Sequence, residues 1–210
     1  MTRAFVVGNG KSLRQTPLEN LVGEVTFAVN NIHLIYPDTK WRPTHYVRAE
    51  EATTLGPEDW RESMDVHFAL DCEIWCNEWF ARIDRTRSVN IIRPCTHYRL
   101  HFDNPECPHL WHLPILCNFG SSVNVAVQLA AQKGYSPIYL VGCDLGYVDG
   151  KPNHFNDQYE HGKEQDARFA NLDTLYAHMI ASRSKAKIYN ATIGGELEVY
   201  ERVEFEELFK

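Results

Sequence analysis

At 210 residues, with 44% apolar and 23% charged residues, the chain has the mass for one buried core and the composition of a single globular domain. Acidic residues outnumber basic ones by 28 to 21, and the net charge of −7 disfavours nucleic acid and anionic membranes as partners, though a small anion can still bind locally. No run reaches the roughly 18 apolar residues of a membrane span and no leader precedes the first strand, so the expected setting is cytoplasmic and reducing, with the six cysteines mostly free thiols.

The first predicted strand, Ala4–Val7, breaks into Gly8-Asn9-Gly10-Lys11-Ser12. The loop lacks the third glycine of the dinucleotide-binding fingerprint, because Leu13 stands there, and it lacks the spacing of the P-loop. It reads as a tight turn whose glycines admit close backbone approach, with Asn9 and Ser12 as side-chain contacts. A second strand, Val25–Val29, ends in Asn30-Asn31, and a third, His45–Ala49, ends near Arg48, Glu50 and Glu51. Further strands are expected at Val66–Leu70 and Val89–Arg93.

Residues 94–117 then break the rhythm. Pro94–Pro114, "PCTHYRLHFDNPECPHLWHLP", is rich in Pro, His and aromatics without a clean period, and reads as an irregular, lid-like insertion. Cys95, His97, His101, Cys107, His109, His112 and Cys117 are residue types that suit zinc as well as plain packing. No C-x-x-C knuckle accompanies them, since Cys72 and Cys76 stand one residue too far apart.

A helix follows at Ser122–Lys133, with Val123, Ala126, Val127 and Ala130 at helical spacing and Gly134 as its stop. Gly120, Ser121 and Ser122 at its start offer free N–H groups, two hydroxyls and the positive dipole end, a seat for phosphate or carboxylate. Only one serine can serve as the cap, which leaves the other to be explained. The next strand, Pro137–Gly142, carries Gly142, Asp144 and Tyr147 at its end. The loop beyond holds Asp149, His154, Asp157, Tyr159 and His161; it reads either as a solvated polar loop or as the source of a general-base histidine. A long helix, Glu164–Ser182, bears an apolar stripe of Phe169, Leu172, Leu175, Tyr176 and Met179, and a last strand is expected at Ala186–Asn190.

Near-continuous apolar strands alternating with helices predict one Rossmann-like, doubly wound α/β domain over residues 1–210, built on a mostly parallel sheet. Ligands of such sheets bind outside the carboxyl ends of the strands. A single asparagine there is a turn residue as readily as a ligand, but the strand ends with polar or glycine residues together mark one edge as a ligand site, where asparagine amides suit a base or sugar.

Two blocks and the tail carry a family resemblance. "VVGNGKSL" resembles the G-N-G-P-S-L opening of two related groups, the hydroxymethyl-dihydropterin diphosphokinase-like proteins, which include flagellar motility accessory factors, and the bacterial lipooligosaccharide sialyltransferases. "GSSVNVAVQLAAQKGYSPIYLVGCDLGYVDGKPNH" is similar to their second shared block, and "YNATIGGELEVYERVEFEEL" is similar to the close of the diphosphokinase-like group. The sialyltransferase resemblance implies a CMP-sugar donor held by Gly8, Asn9, Gly10, Ser12, Asn30, Asn31, Ser121 and Ser122, with His161 or His154 as base toward an acceptor hydroxyl and no cofactor. The diphosphokinase resemblance implies pyrophosphoryl transfer from ATP to a pterin alcohol, with magnesium on Asp144 and Asp149. Lys11 stands where both groups carry proline, Val123 where the sialyltransferases carry glycine, and their asparagine after the third strand has no counterpart.

The sequence thus leads to a nucleotide-dependent transferase, with a sialyltransferase-like glycosyltransferase as first reading. Diphosphokinase-like transfer and a non-catalytic nucleotide or sugar-nucleotide binding module are the alternatives. The expected partners are a nucleotide or nucleotide-sugar and a small hydroxyl-bearing acceptor.

Overall fold

The computed structural model describes residues 2–49, 57–78, 80, 87–95, 113, 115–117, 121–160 and 166–210. Its frame is a sheet of nine strands: β1 Ala4–Val7, β2 Thr26–Val29, β3 His45–Arg48, β4 Glu73–Asn77, β5 Asn90–Cys95, β6 Ile115–Cys117, β7 Ile138–Val141, β8 Ile188–Asn190 and β9 Glu201–Arg202. They lie in the order β6-β5-β4-β3-β2-β1-β7-β8-β9, and each pairing is parallel. The chain therefore winds outward from β1 to β6, then crosses back to lay β7 on the other side of β1. That reversal puts a crevice between the carboxyl ends of β1 and β7.

Three α-helices are described: α1 Pro57–Phe68, α2 Ser122–Gln132 and α3 Ala167–Ala181. Strand side chains alternate between two cores. Ala4, Val6, Phe27, Val29 and Val47 face α2, whose Val125, Ala126, Leu129 and Ala130 are fully buried. Phe5, Val7, Ala28 and Tyr46 face the other way, onto Met64 of α1, the short 3-10 turns that carry Leu13, Leu21 and Ile35, and Trp41 just before β3. Being covered on both faces is what makes these strands read as unbroken apolar runs.

Two buried amides fix α2 against the end of β6. Gln128 accepts from Cys117 N at 3.0 Å, while Gln128 Nε2 and Asn124 Nδ2 both donate to Cys117 O, at 2.9 and 3.2 Å. Both side chains are fully buried, so these bonds replace lost water contacts and hold the helix start in place.

The run Val66–Leu70 proves helical rather than extended: α1 covers its first residues, with Met64 and His67 fully buried on one face, and β4 takes the sheet position instead. Both ends of 94–117 belong to the sheet, in β5 and β6, and residues 96–112 and 114 lie outside the described residues, as do most of the zinc candidates. Cys72, Cys76, Cys117 and Cys143 are free thiols. No helix among the described residues is long and apolar enough to cross a membrane.

Candidate functional site

The crevice between β1 and β7 opens into a cleft of about 100 Å³, bordered by the glycine loop, the end of β2, the start of α2, the β7 loop and the inner face of α3.

The glycine loop owes its shape to the loop after β7. A Cβ on Gly8 would stand 2.6 Å from Gly142 O, and one on Gly10 would stand 2.5 Å from the Asp144 carboxylate. The glycines thus let two loops pack against each other. Gly8 N donates to Val141 O and Gly10 N to Gly142 O, both at 2.8 Å, as if the sheet continued one step. The Asp144 carboxylate closes the pair, accepting from Ser12 N at 2.9 Å and from the Ser12 hydroxyl. Asp144 O in turn accepts from Glu196 N at 2.6 Å, beside a Gly195 whose Cβ would collide with it. The Gly-Gly turn near the carboxyl end therefore braces the β7 loop, and Thr192 Oγ1 helps by accepting from Cys143 N at 3.0 Å.

On this brace sit the groups that face the cleft. Asn9, 7% exposed, donates from Nδ2 to Val29 O at 3.0 Å and to the Tyr159 hydroxyl at 3.2 Å. Its Oδ1 is buried without a partner among the described residues. Across the cleft Ser121 caps α2, its side chain accepting from Val123 N at 3.2 Å. Ser122, 5% exposed, keeps a buried hydroxyl without a partner among the described residues. An unmatched buried polar group costs about 1–3 kcal/mol, and these two belong to residues that line one cleft, where water or a polar ligand would satisfy them.

His154 bridges back to the glycine loop as an antiparallel partner of Gly10 and stacks on Tyr159, ring centroids 3.9 Å apart. Tyr147 meets His154 edge-on at 6.0 Å, and its backbone is clamped by Asn171 of α3, which accepts from Tyr147 N at 2.7 Å and donates to Tyr147 O at 2.9 Å. The cleft histidine is thus seated between rings whose positions are fixed.

Of the residues expected from sequence, Asn9, Gly10, Asn30, Ser121, Ser122, Gly142, Asp144, Tyr147 and His154 line this one cleft. Gly8 and Ser12 stand behind it in the brace, and Asn31 turns away to accept from Arg48 Nη1 at 3.3 Å. His161 lies outside the described residues. Asp144 and Asp149, the magnesium candidates, are held apart, Asp144 accepting from Ser12 N after the glycine loop and Asp149 from Ala167 N at the start of α3 at 2.8 Å. No cluster of three or more His, Cys, Asp or Glu that could hold a metal ion occurs among the described residues.

Thr174 and His178, which carry no motif in the sequence, reach the cleft from α3. His178 is 2% exposed, and burial pushes its pKa down to about 4. The Tyr200 hydroxyl donates to His178 O at 2.9 Å, so at 3.2 Å it accepts from Nδ1–H and leaves Nε2 the acceptor nitrogen. His178 is therefore a neutral hydrogen-bonding ring, too weak a base to take a full proton near pH 7. Cys143 also borders the cleft, but burial raises its thiol to about 12, which removes it as a thiolate nucleophile.

No family model matches the chain, and no curated protein matches it by sequence. Solved structures do share its fold. The MAf glycosyltransferase from Magnetospirillum magneticum AMB-1 superposes with a TM-score of 0.64 at 15% identity over 98% of this chain. This chain spans only 34% of that protein's length. The sialyltransferase CstII from Campylobacter jejuni, in complex with the substrate analogue CMP-3FNeuAc, gives 0.57 at 15% identity, covering 97% of this chain and 86% of its own. With cytidine-5'-monophosphate the same enzyme gives 0.59 at 17% identity over 97% and 85%. The chain has the α/β fold of these glycosyltransferases, with its cleft at the topological switch point of the sheet.

Proposed function

We propose that the chain is a nucleotide-dependent transferase that takes a nucleotide-sugar of the CMP-sugar kind and passes the sugar to a small hydroxyl-bearing acceptor. The observation that carries this reading is the pair of buried groups without a partner among the described residues, Asn9 Oδ1 and Ser122 Oγ, on two residues that line one cleft. Ser122 sits in the first turn of α2, where the dipole favours an anion, so the donor phosphate belongs there and the base or sugar belongs beside Asn9. The likeness in fold to a sialyltransferase solved with cytidine nucleotides supports the same choice of donor.

In this reading His154 accepts the proton of the acceptor hydroxyl. The acceptor oxygen bonds to the anomeric carbon as the carbon–oxygen bond to phosphate breaks, and the nucleoside monophosphate leaves with its charge held at the α2 start. His161 is the second candidate for the base. No metal is required, so turnover is expected to persist in chelator, whereas pyrophosphoryl transfer from ATP would stop.

The test is a thermal-shift panel of CMP, CDP, UDP, GDP, ATP and pterins. A cytidine nucleotide at a hundredfold excess over its dissociation constant adds about 2.7 kcal/mol to stability. No shift with any nucleotide discards the reading. If a CMP-sugar is turned over, His154→Ala and His161→Ala that both retain full rate discard the base assignment.

A further inference from the structure

Two polar side chains of the cleft are used neither by the phosphate seat nor by the glycine loop. Thr174 and His178 stand four residues apart on α3, one turn of helix, which sets them side by side on its inner face. They are 9% and 2% exposed, and both line the cleft. Neither the Thr174 hydroxyl nor His178 Nε2 makes a hydrogen bond among the described residues. The other ring nitrogen is engaged: Nδ1–H donates to the Tyr200 hydroxyl at 3.2 Å, and that hydroxyl donates to His178 O at 2.9 Å. Flipping the ring or changing its tautomer would break a buried bond, so Nε2 stays an acceptor. Burial, which pushes the pKa down to about 4, keeps the ring uncharged near pH 7. A neutral acceptor set in a buried wall takes an N–H or O–H donor and opposes the lone pairs of a carboxylate or phosphate, which have no proton to give.

We propose that Thr174 and His178 form a second polar subsite of the cleft, which takes an uncharged, hydrogen-bond-donating group of the ligand and complements the anion seat at the α2 start. The subsite rests on the nucleotide-sugar reading. In such a donor the phosphate lies between nucleoside and sugar. With the phosphate at Ser122 and one arm beside Asn9, the other arm runs along α3. Both arms carry donors of the required kind, the exocyclic amine of cytosine and the hydroxyls of the sugar. The wall that receives them is held from two sides, by Tyr200 on His178 and by Asn171, one turn before His178, on the Tyr147 backbone.

The test is calorimetric titration of CMP, UMP and the sugar-bearing analogue CMP-3FNeuAc into wild type, Thr174→Val and His178→Phe, joined to nitrogen NMR of the histidine rings. Thr174→Val keeps the side-chain shape and removes only the hydroxyl, and circular dichroism checks that both variants stay folded. Each variant should weaken the ligand that carries the donor about tenfold, and Thr174→Ser should recover what Thr174→Val loses. If the donor is the cytosine amine, wild type favours CMP over UMP, which has a carbonyl there, and His178→Phe abolishes the preference. If it is a sugar hydroxyl, CMP and UMP bind alike, and the variants lose the gain of CMP-3FNeuAc over CMP. In both cases the Nε2 resonance that is missing from His178→Phe should move upfield as ligand saturates the wild type, a change that a purely structural ring would not show. An unmoved Nε2 resonance at saturation, or variants that bind every ligand as wild type does, overturns the subsite and leaves the nucleotide reading standing. A wild type that binds none of these ligands overturns both.

Discussion

The starts of α2 and α3 are closed in opposite ways. At α3 two carboxylates take up the first amides: Asp166 accepts from Arg168 N at 3.0 Å and from Phe169 N at 3.4 Å, and Asp149 accepts from Ala167 N at 2.8 Å. At α2 the cap is the neutral Ser121, and the Ser122 hydroxyl is left without a partner among the described residues. A helix start carries about half a positive charge. The carboxylates cancel it at α3, and it remains in force at α2, where the cleft opens. A helix start becomes an anion seat only where the fold withholds the acidic cap and places a cleft in front of it.

The hardest break of this contrast gives α2 the charge that α3 has. Ser122→Asp should lower nucleotide affinity by roughly a hundredfold or more in calorimetric titration, with circular dichroism confirming the fold. A smaller effect is expected from the ring that α3 lends to the cleft. Burial holds the His178 pKa at about 4, below its unfolded value near 6.5, so its contribution is complete above pH 6.5 and is lost as pH falls toward 4. Urea unfolding of wild type and His178→Gln at pH 7 and pH 4.5 should show the wild type losing about 2 kcal/mol more than the variant. Equal losses would mean that the ring is not held neutral.

Asn9→Ala removes the other unmatched group together with its bond to Val29 O, and should weaken nucleotide binding about tenfold. Asp166→Ala sharpens the contrast from the α3 side. It should cost about 1 kcal/mol in denaturant unfolding and leave nucleotide affinity as it was. Lys11 is the one Lys or Arg among the described residues of the cleft lining, and it is exposed. Lys11→Gln should therefore weaken nucleoside diphosphates more than monophosphates, by only about threefold, measured in the same titration.

Much of the site was legible because parallel sheets gather strand ends. Gly10, Asn30, Gly142 and Asp144 follow short apolar runs and need only the topology to be brought together. The spare serine at the α2 start was legible too, since one cap leaves one hydroxyl over. What the glycines do was not: a Cβ on Gly8 or Gly10 would collide with Gly142 or Asp144, more than a hundred residues on. Ser12 looked like a contact and is bound to Asp144 for the same reason. Val66–Leu70 misled because a five-residue apolar run fits a buried helix end as well as a strand; Pro57 and the acidic pair after it carried the helix-start signal. Thr174 and His178 could not be read at all, since which face of α3 turns inward is settled by its packing on α2. The two-residue β9 is too short to carry a pattern.

The central claim is that the cleft takes a nucleotide with its phosphate at the α2 start. Calorimetric titration of CMP into wild type and Ser122→Asp, both shown to be folded, tests it most directly. Saturable binding at one site per chain is expected in the wild type and none in the variant over the same range. Equal binding by the two proteins, or no heat from the wild type at any CMP concentration, would contradict it.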